Sequence, residues 1–141
     1  MSYIEEIKRR GRDANPFFSL MGIEIGSYGK GRAELILTVR PDMHNGVGWL
    51  QGGLYIALCD EAMALALFTA LEEGSSIATI SESTSFLQGV RNGRIKARAE
   101  VVKIGRRVAF MEGQVCSEDG SVLTETHASF AIFARRQESR S

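Results

Sequence analysis

HNGVGWLQGGLYIALCDEAMALALFTALEE, residues 44–73, decides how the rest of the chain is arranged. From Gly52 to Glu73 it runs about 22 residues without proline, enough for a helix about 33 Å long at 1.5 Å per residue. Leu54 to Cys59 and Ala62 to Phe68 are apolar around the whole circumference, the pattern of a helix enclosed on most of its sides. Asp60 and Glu61 interrupt it. A carboxylate on an enclosed helix is costly unless it is paired, hydrated or used, so this pair is the first place to look for chemistry. The same two acids, and the shortness of the uncharged runs on either side, argue against a transmembrane helix.

Upstream, 42–48 is polar and glycine-bearing and reads as a loop feeding the helix, with Pro41 before it. Residues 23–27 and 33–39 read as two strands joined at Tyr28-Gly29-Lys30-Gly31, with Ala33, Leu35, Leu37 and Val39 on one face. Residues 2–12 read as an amphipathic helix that Ser2 can cap and Gly11 ends, within an N-terminal helical segment 1–15. Asn15-Pro16 breaks the chain, and Phe17, Phe18, Leu20 and Met21 fold over the core or over a partner. Downstream, Gly74-Ser75-Ser76 stops the helix and four strands follow in meander order, over 77–87, 94–104, 107–117 and 121–133. The charged tail 135–141 is expected to fray. The sum is one α+β domain, residues 1–141, in which an antiparallel sheet of five to six strands wraps one long central helix. The far side of that helix and the sheet edges need cover, which suggests that two such domains pair.

With 44% hydrophobic residues, 24% charged and no formal net charge, the chain is neither disordered nor a non-specific polyanion binder, and no nucleic-acid or membrane partner is expected. Its first residues mix acids and bases without an apolar run, so a cytoplasmic protein is expected. Cys59 and Cys116 form neither a CxxC pair nor a disulfide framework and read as small buried residues. His44 and His127, one in a turn and one in a strand, do not make a metal site, and no metal or other cofactor is expected.

Gly52 and Gly53 stand where the helix begins, so their N–H groups lack intrahelical acceptors and lie at the positive end of the helix dipole. Such donors form an oxyanion hole in kind, and glycine lets a carbonyl approach closely. Asp60 is eight residues past Gly52, about 12 Å along the axis. One carbonyl carbon cannot touch both. If both serve one reaction, the spacing predicts a dimer with antiparallel helices and two composite sites. Thr79, Ser81, Ser83 and Ser85 place small hydroxyls on one strand face, lining a groove or facing solvent.

Asn45, Gly46, Gly52-Gly53, Asp60 and Thr79, with Phe86 seven positions after Thr79, resemble the motif of the hotdog-fold acyl-CoA thioesterases. The likeness is to the phenylacetate-degradation-type branch of the 4-hydroxybenzoyl-CoA thioesterase superfamily and covers about 16–133. Gln51 departs from the family's His-Gly-Gly; glutamine donates a hydrogen bond but cannot carry a proton on and off. The resemblance implies a hotdog fold, an acyl-CoA substrate, and a homodimer that pairs further into a dimer of dimers. It implies Asp60 as general base or nucleophile, the Gly52 N–H as oxyanion donor, Thr79 orienting a water, and Asn45 holding the carbonyl or shaping the loop. Gln51 and Gly53 then border the substrate. Arg91, Arg106 and Arg107, with Arg94, either grip coenzyme A phosphates or are solvated turn charges. Phe17, Phe18, Met21, Tyr55, Met63 and Phe86 could supply an aliphatic or an aryl pocket. Two other readings are a non-catalytic acyl-CoA-binding module, against which Asp60 speaks, and a dehydratase or hydratase, which needs a histidine beside an acid.

Overall fold

A computed structural model describes residues 2–134, and the tail expected to fray lies outside them. The chain opens with helix α1 (Tyr3–Arg10), capped by Ser2, whose hydroxyl accepts from the Glu5 N–H at 3.2 Å. It ends at Gly11, which takes a positive φ of 61° that a side chain would resist. The single N-terminal segment expected over 1–15 is thus a helix followed by a 3-10 turn (Gly11–Ala14). Asn15-Pro16 starts a helix where only a break was expected. Asn15 caps α2 (Pro16–Met21) by accepting from Phe17 N–H, and proline suits the first turn because its missing N–H would be unsatisfied there anyway. Within α2, Phe18 is fully buried while Leu20 is exposed.

Strands β1 (Glu24–Gly29) and β2 (Arg32–Thr38) form the expected hairpin, and Ala33, Leu35 and Leu37 alternate into the core. A 3-10 turn (Pro41–Met43) leads through the loop to the central helix α3 (Gly52–Ala70), 19 residues and about 28 Å long. Then come β3 (Ser76–Phe86), β4 (Arg94–Ile104), β5 (Val108–Ser117) and β6 (Val122–Phe133). All six strands join one antiparallel sheet in the order β1-β2-β4-β5-β6-β3. The expected meander therefore holds only for β4, β5 and β6. Strand β2 already pairs with the edge of β4 that β3 would have used, so β3 joins the free edge of β6 instead.

Helix α3 lies across the inner face of this sheet, against β2, β4 and β5. By length and composition it could cross a bilayer. Its apolar surface is instead spent on the core, where Leu58, Cys59, Ala62, Met63, Leu65, Ala66 and Leu67 are buried. Both cysteines are free thiols. On the side away from the sheet α1 covers part of the helix, with Tyr3 and Phe68 rings 5.1 Å apart and Ile7 buried. Helix and sheet come close together at Gly113 of β5, where a Cβ would stand 2.5 Å from Cys59 Sγ and 3.3 Å from the Arg98 carbonyl oxygen. Gly113→Ala is therefore expected to destabilise the fold by about 1–3 kcal/mol through overpacking. An unchanged denaturant midpoint would show that the helix can lift at this point.

The geometry that matters for the site is a bulge in β3. Thr79 pairs with Phe130 but Ser81 pairs with Ser129, so Ile80 is an extra residue on the edge strand. One extra residue inverts the alternation. Before it Thr79 shares the inner face with buried Phe130; after it Glu82 and Thr84 share that face with buried Ala128 and Thr126. Ser83 and Ser85 pair with the exposed His127 and Glu125 on the outer face. The expected row of four hydroxyls is accordingly not one face: Thr79 points to the helix, and Ser83 and Ser85 point away.

Candidate active site

Helix α3 begins at Gln51, whose side chain caps it by accepting from the Gly53 N–H at 2.6 Å. The two glycines then have different reasons to be glycine. A Cβ on Gly53 would sit 2.7 Å from Gln51 Oε1 and break the cap, whereas a Cβ on Gly52 would make only ordinary contact, 3.5 Å, with the Phe86 ring. The Gly53 N–H is thus occupied. The Gly52 N–H, in the first turn, has no acceptor among the described residues. Phe86 stands beside it and meets Tyr55 edge-on, ring centroids 6.1 Å apart.

Two turns into the helix, Asp60 Oδ1 accepts from Thr79 Oγ1 at 2.9 Å, which ties the helix to the inner face of β3 just before its bulge. Asp60 lines an open cleft of about 450 Å³ together with Gly53, Ile56 and Ala57 on the helix side, and Thr79 and Glu82 line its strand side. Glu82 is the residue that sequence reasoning missed. A period of two through β3 places it opposite Thr79; the bulge at Ile80 places it beside Thr79, and nothing in the alternation of residue types marks the bulge. It lines the cleft beside Asp60, and burial and the neighbouring Asp60 carboxyl push its pKa up from 4.5 to about 8. Its Oε1 is buried without a hydrogen-bond partner among the described residues. Glu61 faces elsewhere, as the 100° step between successive helical residues requires. It accepts from Asn15 Nδ2 at 3.2 Å, and burial holds its carboxyl above the usual range.

The remaining candidates are dispersed. Asn45 Oδ1 accepts from the N–H groups of Val47 at 3.0 Å and Trp49 at 3.1 Å, so its carbonyl is occupied in shaping its own loop. Arg91 lies over the Trp49 ring, 4.1 Å from its centroid, near the start of α3. Arg106 and Arg107 line a separate hollow with Gly74, Ser76 and Phe133, past the other end of α3. One chain therefore does not bring the three arginines together; the length of α3 separates them. Arg94 is paired with Glu24 at 2.7 Å. Neither histidine meets Asp60: His44 Nε2 is 2.6 Å from the Arg91 carbonyl oxygen, and His127 stands across from Glu112 on the outer face. Phe18 and Met63 are fully buried in the core and Tyr55 nearly so, while the exposed Phe86 stands beside Gly52 and packs on Tyr55.

Comparison with known proteins adds a family to this geometry. The sequence profile described as "Thioesterase superfamily" matches residues 48–124, the span from the loop before α3 into β6. A 1,4-dihydroxy-2-naphthoyl-CoA hydrolase of Listeria monocytogenes is 26% identical over 117 residues, covering 83% of this chain and 95% of that protein. Among solved structures, a thioesterase from Haemophilus influenzae superposes with a TM-score of 0.81 at 25% identity, over 89% of this chain and 88% of its own. A mutant of the phenylacetic acid degradation protein PaaI from Thermus thermophilus superposes with a TM-score of 0.77 at 27% identity, over 83% of this chain and 98% of its own.

Proposed function

This chain belongs to the thioesterase superfamily and is a thioester hydrolase with the hotdog fold, and from that premise we propose that it hydrolyses an acyl- or aryl-CoA thioester to the free acid and coenzyme A. The observation that carries the reading is the pairing, on one helix, of an unpaired N–H at Gly52 with a carboxylate at Asp60 that Thr79 holds at 2.9 Å beside an open cleft. Asp60 takes a proton from a water as that water attacks the thioester carbonyl, or attacks the carbonyl itself. The oxyanion that develops is met by a Gly52 N–H at the positive end of a helix. In the first route, collapse of the tetrahedral species breaks the C–S bond and the proton held on Asp60 goes to the departing thiolate; in the second, the thiolate leaves from an acyl–Asp60 anhydride, which a water then hydrolyses to the free acid and the Asp60 carboxylate. Thr79 donates to Asp60 and keeps its own lone pairs free to accept from the attacking water.

About 12 Å of helix separates Gly52 from Asp60, so the donor comes from Gly52 of the partner subunit in a homodimer with antiparallel central helices. Supporting this is the unpaired edge of β3, where Ile80, Phe86 and Leu87 are each more than half exposed. In the same assembly Gln51 keeps two amide hydrogens for the substrate, while Oε1 caps the helix. Arg91 of one subunit and Arg106 and Arg107 of the other then approach one site from opposite ends of the paired helices and can meet coenzyme A phosphates. A dehydratase reading finds no support, since neither histidine faces Asp60. The test is release of free thiol from a panel of short, long and aryl acyl-CoAs. Turnover on at least one class is expected; a folded protein that cleaves none of them would overturn the reading.

A further inference from the structure

Beside the acid that family resemblance singles out stands a second acid that the motif does not include. Glu82 reaches the same cleft because the bulge at Ile80 turns it onto the inner face, next to Thr79 and across from Ala128. The groups packed around it are Asp60 and Cys59 from α3, Thr79 and Thr84 from its own strand, and Thr126 and Ala128 from β6. Burial keeps the Cys59 thiol protonated, pushing it up to about 12, and Glu61 is turned toward Asn15. Among the described residues no cation lies close enough to Glu82 to affect its ionisation. Two carboxyl groups lining one side-by-side stretch of cleft can hydrogen-bond only if one of them carries a proton, and both cannot ionise there at little cost. The buried, partnerless Oε1 of Glu82 points the same way, because a charged carboxylate oxygen there would be desolvated without a donor.

We propose that Glu82 is a positioning residue for Asp60, a carboxylic acid whose proton is donated to the Asp60 carboxylate while the Thr79 hydroxyl donates to Oδ1 from the neighbouring position. The pair then holds one proton. Asp60 has the Thr79 hydroxyl as its second donor, and it is fixed between two hydrogen bonds, facing the cleft. The proposal rests on the reading of Asp60 as the group that acts on the thioester, and it adds a specific pH behaviour. When the pair loses its remaining proton, attraction becomes repulsion, Asp60 loses its fixed orientation and turnover falls.

Two measurements test it, and the first needs no substrate. In protein labelled with 13C at glutamate carboxyls, the Glu82 resonance is identified by its loss in Glu82→Gln. Its midpoint is expected near 8 in the native protein and lower by at least about one pH unit in Asp60→Asn, where the neighbouring charge is gone. A native Glu82 that titrates in the ordinary carboxylate range, or one indifferent to Asp60→Asn, overturns the proposal even if the thioester panel has failed. The second is the pH profile of kcat on the best substrate. The native enzyme should lose about tenfold per pH unit beyond the Glu82 midpoint, whereas Glu82→Gln, which keeps an N–H donor but cannot ionise, should lack that alkaline limb. A lowered kcat with the native profile shape would mean that Glu82 only packs the strand.

Discussion

Asp60→Asn should lower kcat on any thioester that the native enzyme cleaves by at least about a hundredfold, the scale of losing a positioned general base. Asparagine is close to isosteric with aspartate. Its amide oxygen can still accept from Thr79 Oγ1, and its amide nitrogen can donate toward Glu82, so the links that tie α3 to β3 survive in kind. Only the ability to take a proton, or to attack a carbonyl, is removed. Because that ability is used in the transition state and not in binding the substrate, kcat and kcat/KM should fall together with little change in KM. Stability moves the other way if it moves at all. The substitution removes a charge that disfavours ionisation of Glu82, so Asp60→Asn should unfold at the same temperature as the native protein or a higher one. A folded Asp60→Asn enzyme with native turnover would mean that the base lies elsewhere. Glu82 would then be the first alternative, since it lines the same cleft, whereas Glu61 is turned toward Asn15.

The contrast between Asp60 and Glu82 shows how much of this site a sequence can disclose. Asp60 was legible because it breaks a helix that is otherwise apolar on every side, and Leu58, Cys59, Ala62 and Met63 around it are indeed buried. Strand positions of β2 and β4 were legible for a similar reason, since one dry and one wet face alternate through Leu35, Leu37, Ile95 and Ala97. Glu82 was not, because a single bulged residue changes the face of everything after it without changing composition. The place of β3 in the sheet was hidden for another reason. Strand alternation says which face is buried but nothing about which edge is free, and that was decided by β2 taking the side of β4. Asn45 and Gln51 read correctly as polar residues next to the helix start. Their partners are local backbone N–H groups, two to four residues away, and competition between such a partner and a substrate cannot be weighed from residue types.

The composite site is open to a sharper test at Gly52, where the backbone N–H can be removed. Gly52 is the first residue of α3, and Gln51 before it has φ −63° and ψ 131°, the extended geometry that a following proline demands. Proline is well tolerated at this helical position, and the ring's Cβ has only the Phe86 edge at 3.5 Å as a neighbour. Gly52→Pro should therefore fold and keep its Gln51 cap while lacking the one N–H offered to the oxyanion. The expected loss is about 10²–10³ in kcat, as for other single oxyanion donors. Crossing this variant with Asp60→Asn asks where the donor comes from. A heterodimer of one Gly52→Pro subunit and one Asp60→Asn subunit contains, if the site is shared, one site with both groups damaged and one with both intact. Such a heterodimer, purified by two different tags, should recover about half the native rate from two nearly inactive parents. If base and donor belonged to the same chain, both sites would carry one lesion and mixing would recover nothing, and the 12 Å between Gly52 and Asp60 would have to be bridged by some movement of α3 within a single subunit.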